Sequence, residues 1–145
     1  LLLEPDDVSA VVRGHAFIEA LLERLLERDL PRKGVVEWYA MDMPRRLQIA
    51  RASGRLRDET AAAVRSLTEI RNGLAHNPGF TLIESDVEKF RKAMVKAMPA
   101  EMAEISAEKA PAKHFFRQFY GEHGRILRLG IGCLSSKSKI CWSRA

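Results

Sequence analysis

Asp58-Glu59-Thr60-Ala61-Ala62-Ala63-Val64-Arg65-Ser66-Leu67-Thr68-Glu69-Ile70-Arg71-Asn72-Gly73-Leu74-Ala75-His76-Asn77-Pro78-Gly79 is the stretch that decides the fold. Ala61, Val64, Leu67, Thr68, Ile70, Leu74 and Ala75 recur at steps of three and four, the period of a helix with one buried stripe. Asp58 is the expected N-cap, and Asn77-Pro78-Gly79 forbids continuation beyond His76.

Working outward, the same period runs from Val8 to Arg28 through Val11, Val12, Ile18, Leu21, Leu22, Leu25 and Leu26, with Asp6 and Asp7 suited to its N-terminal dipole. Leu30-Pro31-Arg32-Lys33-Gly34 stops that helix. A short helical piece is expected from Val35 to Met41, ended by Asp42 and Pro44, and another from Arg45 to Ala52, closed by Ser53-Gly54. Downstream, Ser85-Asp86-Val87-Glu88 reads as a capping box before a helix carrying Val87, Phe90, Met94, Val95 and Met98. Phe115, Phe116, Phe119 and Tyr120 suggest one further helix, and no segment alternates long enough to predict a strand.

A chain of 145 residues supports one domain with a core of its own, and 46% hydrophobic with 30% charged residues excludes a wholly disordered chain. Its apolar runs fall short of the ~20 residues of a membrane span. Leu1-Leu2-Leu3 meets Glu4-Pro5 without a basic flank, so no secretory signal is expected there; the missing initiator Met suggests a fragment or a trimmed product. The net charge of +5 is uneven: residues 1–109 hold 17 basic against 18 acidic side chains, whereas residues 110–145 hold seven against Glu122 alone. Cys133 and Cys141 both fall in that basic part and supply no zinc-ligand cluster or disulfide framework, which makes a reduced, cytoplasmic setting the expectation.

Familiar catalytic templates are absent: there is no Gly-rich phosphate loop, His-Glu-x-x-His, Gly-x-Ser-x-Gly or Cys-x-x-Cys. The constellation that remains is Arg71-Asn72 with His76. Arginine offers a permanent planar cation for phosphate oxygens, histidine exchanges protons near neutrality, and Asn72 adds donors and an acceptor beside the arginine. Such a set suits RNA cleavage without metal, through attack of the ribose 2′-hydroxyl to give a 2′,3′-cyclic phosphate and a 5′-hydroxyl. On a continuous helix, however, five positions turn by about 500°, splaying Arg71 and His76 by roughly 140°. Arg45, Arg46, Arg51, Arg55, Arg57 and Arg65 precede the motif, opposed locally by Asp58 and Glu59. Arg45, Arg46, Arg51 and Arg65 are the candidate nucleic-acid contacts.

Arg71-Asn72 followed by His76, late in a long helix of a small all-α chain, resembles the HEPN superfamily. Arg13-Gly14-His15-Ala16, Leu21-Leu22-Glu23, Arg46-Leu47-Gln48-Ile49-Ala50 and Thr68-Glu69-Ile70-Arg71-Asn72 narrow the likeness to the mannitol operon repressor (MltR-like) branch, over about residues 8–98. The resemblance implies a bundle that dimerises and pairs its motif helices across a shared cleft. Active HEPN proteins are metal-independent endoribonucleases of toxin–antitoxin and phage-defence systems; others bind or scaffold, and the mannitol-repressor branch is linked to transcriptional regulation.

Spacing alone does not select the motif, because Arg117 and His123 satisfy it as well; the Asn, the helix end and the upstream landmarks favour Arg71 and His76. A purely structural role stays open, with Arg71 paired to Glu69 or another carboxylate and His76 capping its helix. His15 is expected to be a packed histidine, and the Phe115–Tyr120 aromatics core or dimer contacts.

The expectations are therefore a compact all-α bundle of about five helices over residues 1–123 and a flexible basic tail over residues 124–145. Arg71, Asn72 and His76 are the candidate catalytic residues, without cofactor or metal. The expected state is a homodimer, with RNA and an antitoxin or regulatory protein as candidate partners and no membrane association.

Overall fold

The computed structural model describes residues 5–28, 30–77, 80, 82–100 and 102–103, with side chains from Val8 onward. Among the described residues it is an all-α bundle of four helices: α1 (Pro5–Glu27), α2 (Met43–Ala52), α3 (Asp58–His76) and α4 (Glu84–Ala97). The piece expected from Val35 to Met41 contracts to a single 3-10 turn, Trp38–Ala40. The fifth helix expected around Phe115 and the tail over 124–145 lie outside the described residues.

Local chemistry explains most boundaries. Pro44 sits in the first turn of α2, where a missing N–H costs nothing, and the Asp42 carboxylate accepts the Arg45 backbone N–H at 3.0 Å. The pair expected to end one helix therefore starts the next. Gly54, at φ +67°, closes α2: its N–H donates to the Arg51 carbonyl and that of Arg55 to the Ala50 carbonyl, the paired bonds of a Schellman end.

Two expected caps are displaced by one or two residues. Arg57, not Asp58, occupies the N-cap of α3, and the Asp58 carboxylate instead accepts from Arg51 Nε at 2.6 Å. At α4 the helix begins at Glu84 rather than after Ser85, and Asp86 accepts the Ile83 N–H at 3.4 Å. Glu88, the expected partner of Ser85, binds Arg91 at 2.8 and 3.0 Å.

The core has two lobes, and α3 belongs to both. Ala63, Leu67 and Ile70 join Ala10 and Val11 of α1 with Leu82, Val87, Phe90 and Met94 of the α4 side. Ala61 and Val64 join Leu22, Leu25 and Leu26 of α1 with Trp38, Met43, Leu47 and Ala50. Helix α1 thus lies along α3, its first half in one lobe and its last half in the other. Among the described residues no helix is long and apolar enough to cross a membrane.

Leu67 is fully buried within the first lobe. Leu67→Ala is expected to cost about 2–5 kcal/mol, measured by urea denaturation with an unchanged slope.

Candidate functional site

Helix α3 runs unbroken to His76, where the Asn77 N–H donates to the Gly73 carbonyl. Arg71 and His76 therefore keep their splay of roughly 140°, and one chain alone does not bring them onto one face. Arg65, Glu69, Asn72 and His76, at three- and four-residue steps, form the exposed stripe of the helix. Arg71 departs from it. It follows Thr68 by three residues, on the side of α3 that meets α1, and is half-buried.

The histidine that shares this side is His15. Only 4% exposed, it contacts Thr68 Oγ1 through Nε2 at 3.2 Å. Because Thr68 donates its hydroxyl proton to the Val64 carbonyl at 2.9 Å, its oxygen is left to accept, which calls for an Nε2–H imidazole. Nδ1 then faces the Glu19 carboxylate at 3.6 Å. Burial lowers the His15 pKa; Glu19 opposes this, while the positive charges of Arg71 and Arg46 add to it.

The structural alternative for Arg71 required a carboxylate. Glu69 instead pairs with Lys89 at 2.6 Å, and among the described residues no carboxylate lies within salt-bridge distance of Arg71. Arg71 Nη1 donates to the Asn72 side-chain oxygen at 3.1 Å, so Asn72 does meet the arginine. His76 is exposed at the helix end.

The four candidate nucleic-acid contacts do not form one surface. Arg45 and Arg65 are exposed, and Arg51 is held by Asp58. Arg46 is only 6% exposed, with Nε donating to the Met41 carbonyl at 2.9 Å, and so is withdrawn from any exposed track. Its burial follows from the turn before α2, which brings the Met41 carbonyl within its reach. Sequence spacing offers no signal for the contact of His15 on α1 with Thr68 on α3, which joins two helices.

Gly73 has a specific reason to be small. A Cβ there would stand 2.4 Å from Phe80 Cε2, so the ring lies against the bare helix backbone. The close neighbour is an aromatic side chain, anchored by the Phe80 N–H donating to the Asn77 carbonyl at 2.8 Å. Phe80 also lines a cavity of about 80 Å3 with Ser66, Glu69, Ile70, Asp86 and Lys89, on the α4 side and away from Arg71. Among the described residues no group of three or more His, Cys, Asp or Glu side chains is placed to hold a metal ion.

Compared with protein-family models, curated proteins and solved structures, the chain matches none. The HEPN resemblance accordingly stands on the residues that carry it.

Two predictions follow from this geometry. Gly73→Ala is expected to destabilise the wild type more than it does a Phe80→Ala background, where the helix-propensity gain of up to about 1 kcal/mol is no longer opposed; a double-mutant cycle by chemical denaturation reads the difference. His15, with a folded pKa below its ordinary value of about 6.5, adds stability above that pH and loses it as the pH falls through the lowered value. His15→Gln should therefore flatten the acid-side decline of unfolding free energy measured between about pH 7 and 5.

Proposed function

We propose that the chain is a HEPN-like helical domain that engages RNA phosphates at the C-terminal end of α3 and, as a homodimer, cleaves RNA without metal. The observation that carries this reading is Arg71, a half-buried cation with no carboxylate partner among the described residues, next to exposed Asn72 and His76 at an open helix end. The splay of Arg71 and His76 is what makes a second copy necessary: each composite site takes its histidine from one chain and its arginine from the other. His76 removes the proton of the 2′-hydroxyl, the O2′–P bond forms as the P–O5′ bond breaks, and the departing oxygen takes a proton. Arg71 stabilises the charge that builds on the phosphoryl oxygens, and Asn72 orients the guanidinium. The setting is the cytoplasm, with an antitoxin or regulatory protein as the natural restraint on such an activity.

A second reading, a non-enzymatic regulator similar to the mannitol operon repressor, is favoured by one observation: a single chain leaves Arg71 and His76 on different faces. Incubation of purified protein with RNA in EDTA separates the two. The nuclease reading expects cleavage that survives chelation, yields 2′,3′-cyclic phosphate ends, and falls at least 100-fold in both Arg71→Ala and His76→Ala. Absence of cleavage, with DNA or partner binding unchanged in those variants, would give the chain to the regulator.

A further inference from the structure

The cavity between α3 and α4 holds chemistry that the motif at the helix end leaves unused. Phe80 and Ile70 supply an apolar wall; Ser66, Glu69, Asp86 and Lys89 supply a polar one. The Phe80 ring is held in place, because it lies against the bare backbone of Gly73. Across from it, Lys89 Nζ donates to Glu69 Oε2 at 2.6 Å, so a donor and an acceptor stand side by side. An ionised carboxylate has about four lone-pair positions, and the bond to Lys89 leaves Glu69 able to accept more. Ser66, 6% exposed, is the most buried polar group of the wall. Two carboxylates against one ammonium make the lining net negative. At about 80 Å3 and open on one side, the space admits the edge of a flat polar ring and not a whole nucleotide. Glu69 also shares the exposed stripe of α3 with Asn72 and His76, about 10 Å along the helix from the histidine.

We infer that this cavity receives the Watson–Crick edge of a guanine base in single-stranded RNA, with Phe80 as its stacking wall and Glu69 as its reader. The inference deepens the RNA reading proposed above and rests on it. Unstacked bases of single strands are read by aromatic stacking and by hydrogen bonds to that edge. Guanine presents the O6 acceptor, then the N1–H donor, then the 2-amino donor. The order is matched by Lys89 Nζ, Glu69 Oε2 and Glu69 Oε1. Adenine, cytosine and uracil each carry one donor group on this edge, so none of them fills both carboxylate oxygens. The negative lining repels phosphate, which keeps the sugar-phosphate backbone outside while the base enters. A strand held in this way runs along the stripe past His76, and the cavity selects the base beside the reacting group.

NMR titration of the full chain with GMP, IMP, AMP and UMP tests this with the phosphate held constant. GMP is expected to bind roughly 10-fold tighter than AMP or UMP, and IMP, which lacks the 2-amino group, should lose most of that advantage. The shifts should centre on Ser66, Ile70 and Phe80. Glu69→Gln should abolish the preference for GMP; the side chain is exposed, so the fold is kept. Phe80→Leu, which removes the stacking wall, should weaken GMP and AMP alike. Glu88→Gln on α4, where Glu88 binds Arg91, should behave as the wild type does. Equal affinities for the four nucleotides, or a GMP preference that survives Glu69→Gln, would overturn the site. Shifts at the same residues with acetylarginine amide but not with GMP would also overturn it, and would give the cavity to an arginine of a partner protein. A GMP preference in a chain that cleaves no RNA keeps the base site and removes the nuclease. EDTA-resistant cleavage without that preference does the reverse.

Discussion

Ala61 and Ala63, at 0% and 2% exposure, let neighbouring helices approach α3 from different sides, and the arrangement of the bundle depends on that double burial. A surface helix spends one face on the core; α3 gives one arc to the α4 lobe and another to the α2 lobe, with α1 bridging both. Among the residues left to water are Glu59, Ala62, Arg65, Glu69, Asn72 and His76, at three- and four-residue steps along one side. Near its end the helix breaks the pattern once, placing Arg71 where the period of Thr68 would call for another uncharged side chain. A cation there is tolerated because the helix is running out of neighbours and the group stays half open.

This placement changes the meaning of the histidines. His76 has the sequence proximity, but the helical rotation carries it to the solvent stripe. His15 is buried where α1 meets α3 and is held by Thr68. One is suited to meet something from outside, the other to register electrostatic change inside. The charged form of that ring is opposed by its burial and, more weakly, by the positive charges of Arg71 and Arg46.

The fold was largely legible because α3 is long, strongly periodic and sharply ended; its reach to His76 and the glycine closure of α2 could both be read from residue type. The caps were not, for a common reason. Asp58 and Glu88 have capping chemistry, yet Arg51 and Arg91 capture them, and a fully charged partner outcompetes a neutral backbone N–H. Pro44 was legible as punctuation but not in its direction, since the same residue ends one helix and opens another. Within the site, the Arg71–Asn72 contact is local and could be anticipated. The contact of His15 with Thr68 joins α1 and α3, and no spacing rule reaches across them.

Charge carries a related lesson. Surface cations such as Lys89, Arg91 and Arg51 have carboxylates within 2.8 Å, and Arg45 and Arg65 stand in water that screens them. Exposed pairs of this kind contribute little and say little about partners. Arg46 and Arg71 are the reverse: they are among the less accessible arginines, and among the described residues neither has a carboxylate partner. Desolvation gives a buried cation its demand for an anion, so the shortage of negative charge matters most where water is scarcest. A neutral domain body is consistent with strong local recognition on that basis. In such a body a buried charge weighs on the energetics more than the exposed residues do.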